Sequence, residues 1–346
     1  MIRIAISGAG AIAERAHIPA LKSVRGAQIV ALQSRTIEKA ERVATSLWPN
    51  GGARPNVYAN YDQMLAREKP DAVCVFTPNR LHREFTVKAF EAGAHVLVEK
   101  PMAATVADAR KMIDASVAAK RVLMVAMQRR YGGLERAIKQ AVENGAIGAP
   151  NFIRARLSHG GPQLWAPGQT WFTTAAEAGG GAMLDLGVHV ADLAIWFIGE
   201  VESVSGQVGT LAKAIEVDDT GVMILHFRSG AIGVIEASWS SMPPLSAIEI
   251  YGAGGRIMAG YPRMDIAIQK ADGSAAPGYS RDEVMKQFDP ADLLAPFREL
   301  AANFVAAIEG RATPFPDGTD GLRAIETVEA CYRSARSGQR IKLPLE

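Results

Sequence analysis

The feature that most constrains the fold is an alternation in the first 127 residues. Short, nearly unbroken runs of Val, Ile, Leu and Ala take turns with helix-length segments. The runs are Arg3–Ser7, Gln28–Ser34, Asp71–Thr77, His95–Glu99 and Val122–Ala126. Runs apolar at every position, rather than at every second one, mark strands covered on both faces. Between them lie segments 11–24, 37–47, 61–67, 81–92 and 106–119. Strand–helix alternation of this kind requires βαβ units, a parallel sheet and right-handed crossovers. Beyond about residue 128 the texture changes. Strand-like runs at 151–157, 204–208, 221–227, 231–238 and 247–251 follow one another, mostly without an intervening helix, which predicts an antiparallel or mixed sheet. Segments 292–308 and 320–337 read as helices and 271–289 as a surface loop. The expectation is an α/β protein: a doubly wound parallel sheet over residues 1–127, then an α+β domain over 128–346 built on an open sheet.

Charge and cysteine content exclude several alternatives. Lys and Arg number 38 against 36 Asp and Glu, a surplus of two. So small an excess argues against a nucleic-acid partner bound through a basic surface. Cys74 and Cys331 cannot form a disulfide framework, and their apolar surroundings read as small buried side chains. The apolar stretch 188–198 is interrupted by His189 and Asp192 and is too short to cross a bilayer. The chain enters its first strand within a few residues, without the charged, apolar and small-residue zones of a secretory leader. A cytoplasmic protein without membrane partners is expected.

The first strand runs into GAGAIA, residues 8–13, and then into a helix. Gly8 permits the tight turn, Gly10 lets the backbone approach a pyrophosphate, and Ala13 allows close packing of helix on strand. The helix N-terminus faces the anion, so Gly8, Ala9, Gly10, Ala11 and Ile12 are the candidate phosphate loop of a dinucleotide site. The second strand ends in Ser34, Arg35 and Thr36, with no carboxylate before Glu38. A carboxylate there would hold ribose hydroxyls and repel a 2′-phosphate; a guanidinium and two hydroxyls would hold the phosphate. NADP is therefore expected in preference to NAD.

Ligands of open α/β sheets bind outside the carboxyl ends of the strands. There this chain places Thr77, Pro78, Asn79 and His82 after the third predicted strand, and Glu99, Lys100 and Pro101 after the fourth. Further on, three glycines (179–181) precede a helix carrying Asp185, His189 and Asp192. Asp185 and His189 are four apart and share a helical face; a histidine with a carboxylate one turn away is an acid–base candidate. Read alone, the segment is better explained as a capped helix with a partly buried histidine.

Taken in order, GAGAIA, TPN-x-x-H, EKP, GGG-x-x-x-D-x-G-x-H and the closing segment 317–344 resemble the Gfo/Idh/MocA oxidoreductases along essentially the whole chain. The resemblance implies an N-terminal Rossmann domain and a C-terminal domain on a large, mostly antiparallel sheet that packs against another subunit in dimers or tetramers. It implies catalytic roles for Lys100, Asp185 and His189, with cofactor contacts from residues 8–12, 34–36, 77–79, His82, Glu99 and Lys100. The implied reaction is hydride transfer between a nicotinamide and a secondary alcohol or ketone of a sugar, inositol, polyol or cyclic diol, with no metal. Residues 128–131 (QRRY), His159, Trp165, Trp171 and Phe172 are candidates for the substrate wall, Arg130 and Trp171 foremost, though each is equally suited to packing. Two further readings stand beside this one. The chain could be a dinucleotide-binding regulator without catalysis, or a metal-dependent hydrolase or isomerase using Asp185, His189 and Asp192.

Overall fold

The structure, a computed structural model, describes residues 1–261 and 265–345. The chain divides into two compact units, one of residues 1–128 with 294–322 and the other of 129–293 with 323–346.

The first unit carries a six-stranded, wholly parallel sheet made of β1 (Ile2–Ser7), β2 (Ala27–Gln33), β3 (Asn56–Tyr58), β4 (Ala72–Val75), β5 (His95–Val98) and β6 (Leu123–Val125). Their order is β3-β2-β1-β4-β5-β6, so the winding reverses between β1 and β4. That reversal opens the crevice in which doubly wound sheets bind ligands. All of Ala72–Val75 is buried, as strands with helices on both faces must be. The edge strand β3 escapes the sequence reading because its three residues, Asn56, Val57 and Tyr58 against β2, are not an apolar run: Asn56 is exposed and only Tyr58 is buried. Residues 294–322 also differ from expectation, since they belong to this unit rather than to the second. The helix Ala295–Ile308 packs on the helix Ile18–Ser23, and the Pro316 carbonyl accepts from the Val125 N–H beyond edge strand β6.

The second unit is built on an eight-stranded mixed sheet. Its strands are β7 (Pro150–Ser158), β8 (Val201–Gly209), β9 (Thr220–Phe227), β10 (Ile232–Ser238), β11 (Leu245–Gly252), β12 (Gly255–Tyr261), β13 (Asp265–Lys270) and β14 (Ile341–Lys342). The order is β13-β12-β11-β7-β10-β9-β8-β14; among the described residues only the neighbours β7 and β10 run parallel. One face alternates into the core, with Met223, Leu225 and Ile235 buried, and the other is open. The helix Val188–Ile198 packs on the covered face against β7 and β10. Among the described residues, 175–198 form a stretch apolar and long enough to span a bilayer, and most of its apolar part is buried inside the protein. Within the expected loop 271–289 lies a capped turn of helix, Arg281–Met285, whose Ser280 and Glu283 form a capping box.

Candidate active site

The phosphate loop is held by its neighbours on both sides. Gly8 has φ +102°, and a Cβ there would lie 2.1 Å from the Phe76 carbonyl oxygen, so no other residue fits between β1 and the end of β4. The Gly8 N–H donates to the Gln33 carbonyl at 2.9 Å, and the Ser7 hydroxyl donates to the Gln33 side-chain oxygen at 2.6 Å. Gly10, by contrast, faces open space with nothing within 4 Å of its Cβ position, which is what backbone approach to a pyrophosphate requires. Ala13 is fully buried under the following helix. That helix opens with a π turn, Ala13–His17, before becoming α-helical at Ile18. Sequence patterns do not signal π turns, and such turns gather at functional sites.

Around the crevice the structure sorts the predicted residues. The Thr77 hydroxyl oxygen is buried with no hydrogen-bond partner, and Asn79 is buried in the turn that follows. A buried hydroxyl without a partner costs stability unless a ligand satisfies it, so Thr77 and the loop 8–12 fit a bound dinucleotide. Arg35 is exposed at the carboxyl end of β2, and its guanidinium makes no hydrogen bond or ion pair among the described residues. Lys39, half-buried one turn into the next helix, is held below the ordinary lysine range by burial and by the Arg42 guanidinium. This second cation was not singled out by sequence.

Two of the residues expected at the cofactor have side chains engaged within the protein. His82 is buried with Nδ1 2.9 Å from the Pro101 carbonyl and Nε2 2.8 Å from the Thr77 carbonyl, so its ring sits between two loops and donates to one of these carbonyls when neutral. Burial pushes its pKa down, outweighing the two carbonyls that favour the charged ring. Glu99 is buried too: Oε1 lies 2.6 Å from His17 Nε2, and Oε2 accepts the Lys100 N–H at 2.9 Å. His17 itself went unnoticed in the sequence, since only the fold reveals that residue 17 meets residue 99. Lys100 is half-buried and is followed by a cis bond to Pro101.

In the second unit Asp185 lies on another π turn, Met183–Gly187, and His189 in the α-helical turn after it. Trp239 donates its indole N–H to Asp185 Oδ2 at 3.1 Å. The glycine run is there for packing. A Cβ on Gly181 would lie 1.8 Å from the Asp218 carbonyl oxygen, and the Asp218 carboxylate accepts from the N–H groups of Gly181 and Met183 and from the Tyr332 hydroxyl. Asp192 follows His189 on the same helix. It forms a two-bonded ion pair with Arg130, at 2.6 and 3.0 Å, each side chain 2% exposed. Arg130, expected on the substrate wall, and Asp192, a metal ligand in the alternative reading, are thus paired with each other. Among the described residues no three His, Cys, Asp or Glu side chains are grouped to hold a metal ion. Trp171 is half-buried and stacks on Phe172 at 3.7 Å, and Trp165 meets the same ring edge-on.

Comparison with known proteins agrees with this geometry. Residues 2–127 match the family described as "Oxidoreductase family, NAD-binding Rossmann fold", and residues 136–258 match the "GFO/IDH/MocA C-terminal domain". The 1,5-anhydro-D-fructose reductase of Ensifer adhaerens is 31% identical over 351 residues, covering 99% of this chain and 99% of that protein. The chain belongs to the Gfo/Idh/MocA oxidoreductases. This oxidoreductase is also 28% identical to the D-glucoside 3-dehydrogenase of Escherichia coli, over 99% of this chain and 97% of that one. Among solved structures, the WlbA dehydrogenase of Bordetella pertussis in complex with NADH and UDP-GlcNAcA superposes with a TM-score of 0.86. It is 28% identical, and the match covers 100% of this chain and 98% of that one.

Proposed function

We propose that this oxidoreductase transfers a hydride between a nicotinamide dinucleotide and a secondary alcohol or ketone of a sugar-like substrate. The observation that carries the reading is the pairing of an open phosphate loop and a partnerless Thr77 hydroxyl with Lys100 at the next strand end. The relatives named for anhydrofructose and glucosides support the substrate class. When bound, the dinucleotide supplies the hydride chemistry. Residues 8–12, Thr77 and Asn79 would hold it. His189 takes the substrate hydroxyl proton on an imidazole nitrogen in oxidation and returns it in reduction. The Lys100 ammonium stabilises the negative charge that develops on the same oxygen. Asp185, steadied by Trp239, orients substrate hydroxyls or His189. Trp171, backed by Phe172, offers an aromatic surface for a sugar face.

For the cofactor we propose NADP over NAD. Ser34, Arg35 and Thr36 end β2 without a carboxylate, and Lys39 adds charge nearby. A homo-oligomer through the open sheet face belongs to the same proposal. Val222, Ile224, Ile232 and Met258 expose 38–43% there. A hollow of about 480 Å³ on this face includes Ser158, whose buried Oγ makes no hydrogen bond, and Arg156, whose Nε lies 3.6 Å from Glu236 Oε2. A monomer in sedimentation velocity would remove the oligomer.

The test of the reaction is a screen of sugars and polyols with either nucleotide, followed by Lys100→Met and His189→Ala. Each substitution should lower turnover by about 10²-fold or more while dinucleotide affinity, read by nicotinamide fluorescence, is preserved. Unchanged turnover in both variants would overturn the assignment. Binding without turnover across the panel would favour a dinucleotide-sensing regulator.

A further inference from the structure

The phosphate loop and Lys100 are joined by a line of buried contacts that the reaction scheme does not use. Gly8 packs against the Phe76 carbonyl. The Phe76 ring stacks on His17 with centroids 4.1 Å apart, and Phe297 closes the other side of His17 edge-on at 5.1 Å. His17 Nε2 lies 2.6 Å from Glu99 Oε1, and Glu99 Oε2 accepts the Lys100 N–H. The π turn is what delivers His17 to this place, because it ends at residue 17, directly after the phosphate loop.

A buried carboxylate must be satisfied by donors. Among the described residues Glu99 has two, the His17 ring and the Lys100 amide. With the ring removed, one oxygen is orphaned and the carboxylate turns toward whatever donor or water it can reach, which releases the Lys100 amide as well. Lys100 is the residue whose ammonium must meet the substrate oxygen, and a displacement of about 1 Å at such a group can cost ~10²-fold in rate.

We propose that His17 is a positioning residue for this reaction, acting through Glu99 to fix the backbone of Lys100; the proposal rests on the catalytic reading of Lys100. Packing alone makes the opposite forecast for two substitutions, which separates the roles. His17→Phe keeps the aromatic stack on Phe76 and loses the donor. His17→Gln loses the stack and keeps an N–H donor at the Nε2 position.

The experiment measures hydrogen exchange of the Lys100 amide in the cofactor-free protein, kcat and KM with both substrates, and dinucleotide affinity by fluorescence. His17→Phe should speed exchange at Lys100 and lower kcat by about 10–100-fold, the range for residues that orient an active group from behind it. Dinucleotide affinity should stay within about threefold of the parent, since the substitution leaves residues 8–12 unchanged. His17→Gln should restore slow exchange and most of kcat. The double variant His17→Phe/Lys100→Met should be no slower than Lys100→Met alone, as expected for residues acting as one unit. If His17→Phe does not fold, Glu99→Ala opens the same link from the other end and should speed Lys100 exchange in the same way. Slow exchange and full kcat in the Phe variant, or damage in Gln but not in Phe, would overturn the proposal. Full turnover in Lys100→Met would instead sink the catalytic reading, and the exchange measurement would still decide whether His17 holds the Lys100 backbone.

Discussion

Replacing Asp192 by Asn tests the assignment of Arg130 and Asp192 to the core rather than to substrate or metal. Both side chains are 2% exposed, and the guanidinium meets the carboxylate through Nε at 3.0 Å and Nη2 at 2.6 Å. The guanidinium also lies 5.7 Å from the Trp196 ring. Removing the carboxylate takes from the buried guanidinium the opposite charge it is paired with, a loss of about 3–5 kcal/mol. The unit containing the pair comprises residues 129–293 and 323–346. For a unit of that size each kcal/mol shifts the midpoint by about 2–4 °C, so a fall of about 6–20 °C in Tm is expected. Urea titration and thermal unfolding followed by circular dichroism would measure it. The double variant Arg130→Met/Asp192→Leu removes both charges and should recover most of the loss. A loss under about 1 kcal/mol, the range of exposed pairs, would refute the argument. So would a raised substrate KM at unchanged stability, which would return Arg130 to the substrate wall.

Arg35→Ala should weaken NADPH binding by about tenfold or more, the worth of a charge-assisted bond to phosphate, while NADH binding changes little; equal losses would remove Arg35 from the 2′-phosphate site. Burial pushes the Cys331 thiol up to about 12 and the Cys74 thiol higher still. Both should therefore resist a disulfide reagent in the native protein and react after denaturation; fast native labelling would contradict their burial. His82, with its pKa lowered by burial, stays neutral where the unfolded chain takes up a proton. Its contribution to stability is present above about pH 6.5 and is lost as pH falls below that, by up to about 1.4 kcal/mol per pH unit. Urea titrations on either side of about pH 6 should show a shallower slope for His82→Gln, and equal slopes would rule the effect out.

Some residues could be placed from sequence and others could not, and the difference is physical. Five of the six strands of the parallel sheet were legible because strands buried on both faces are apolar throughout. The phosphate loop was legible because glycine at residue 8 answers a local backbone demand. Thr77, Asn79 and Lys100 became candidates through the rule that strand ends hold the ligand. What proximity in the chain could not show was partnership. His82 and Glu99 stand at strand ends like the others, yet their polar atoms are taken by backbone groups and by His17. Asp192 shares a helix with Asp185 and His189, but Arg130, sixty-two positions away, claims its carboxylate.

The sequence by itself determined the class of fold, the loop that meets a dinucleotide and the family, because apolar periodicity, glycine geometry and motif order are local properties of the chain. Only the tertiary structure decided which polar side chains face the site and which are locked in ion pairs and loop ties. Those choices depend on residues such as His17, Arg130, Asp218 and Trp239 arriving from distant segments, and a buried polar group is defined by the partner that reaches it.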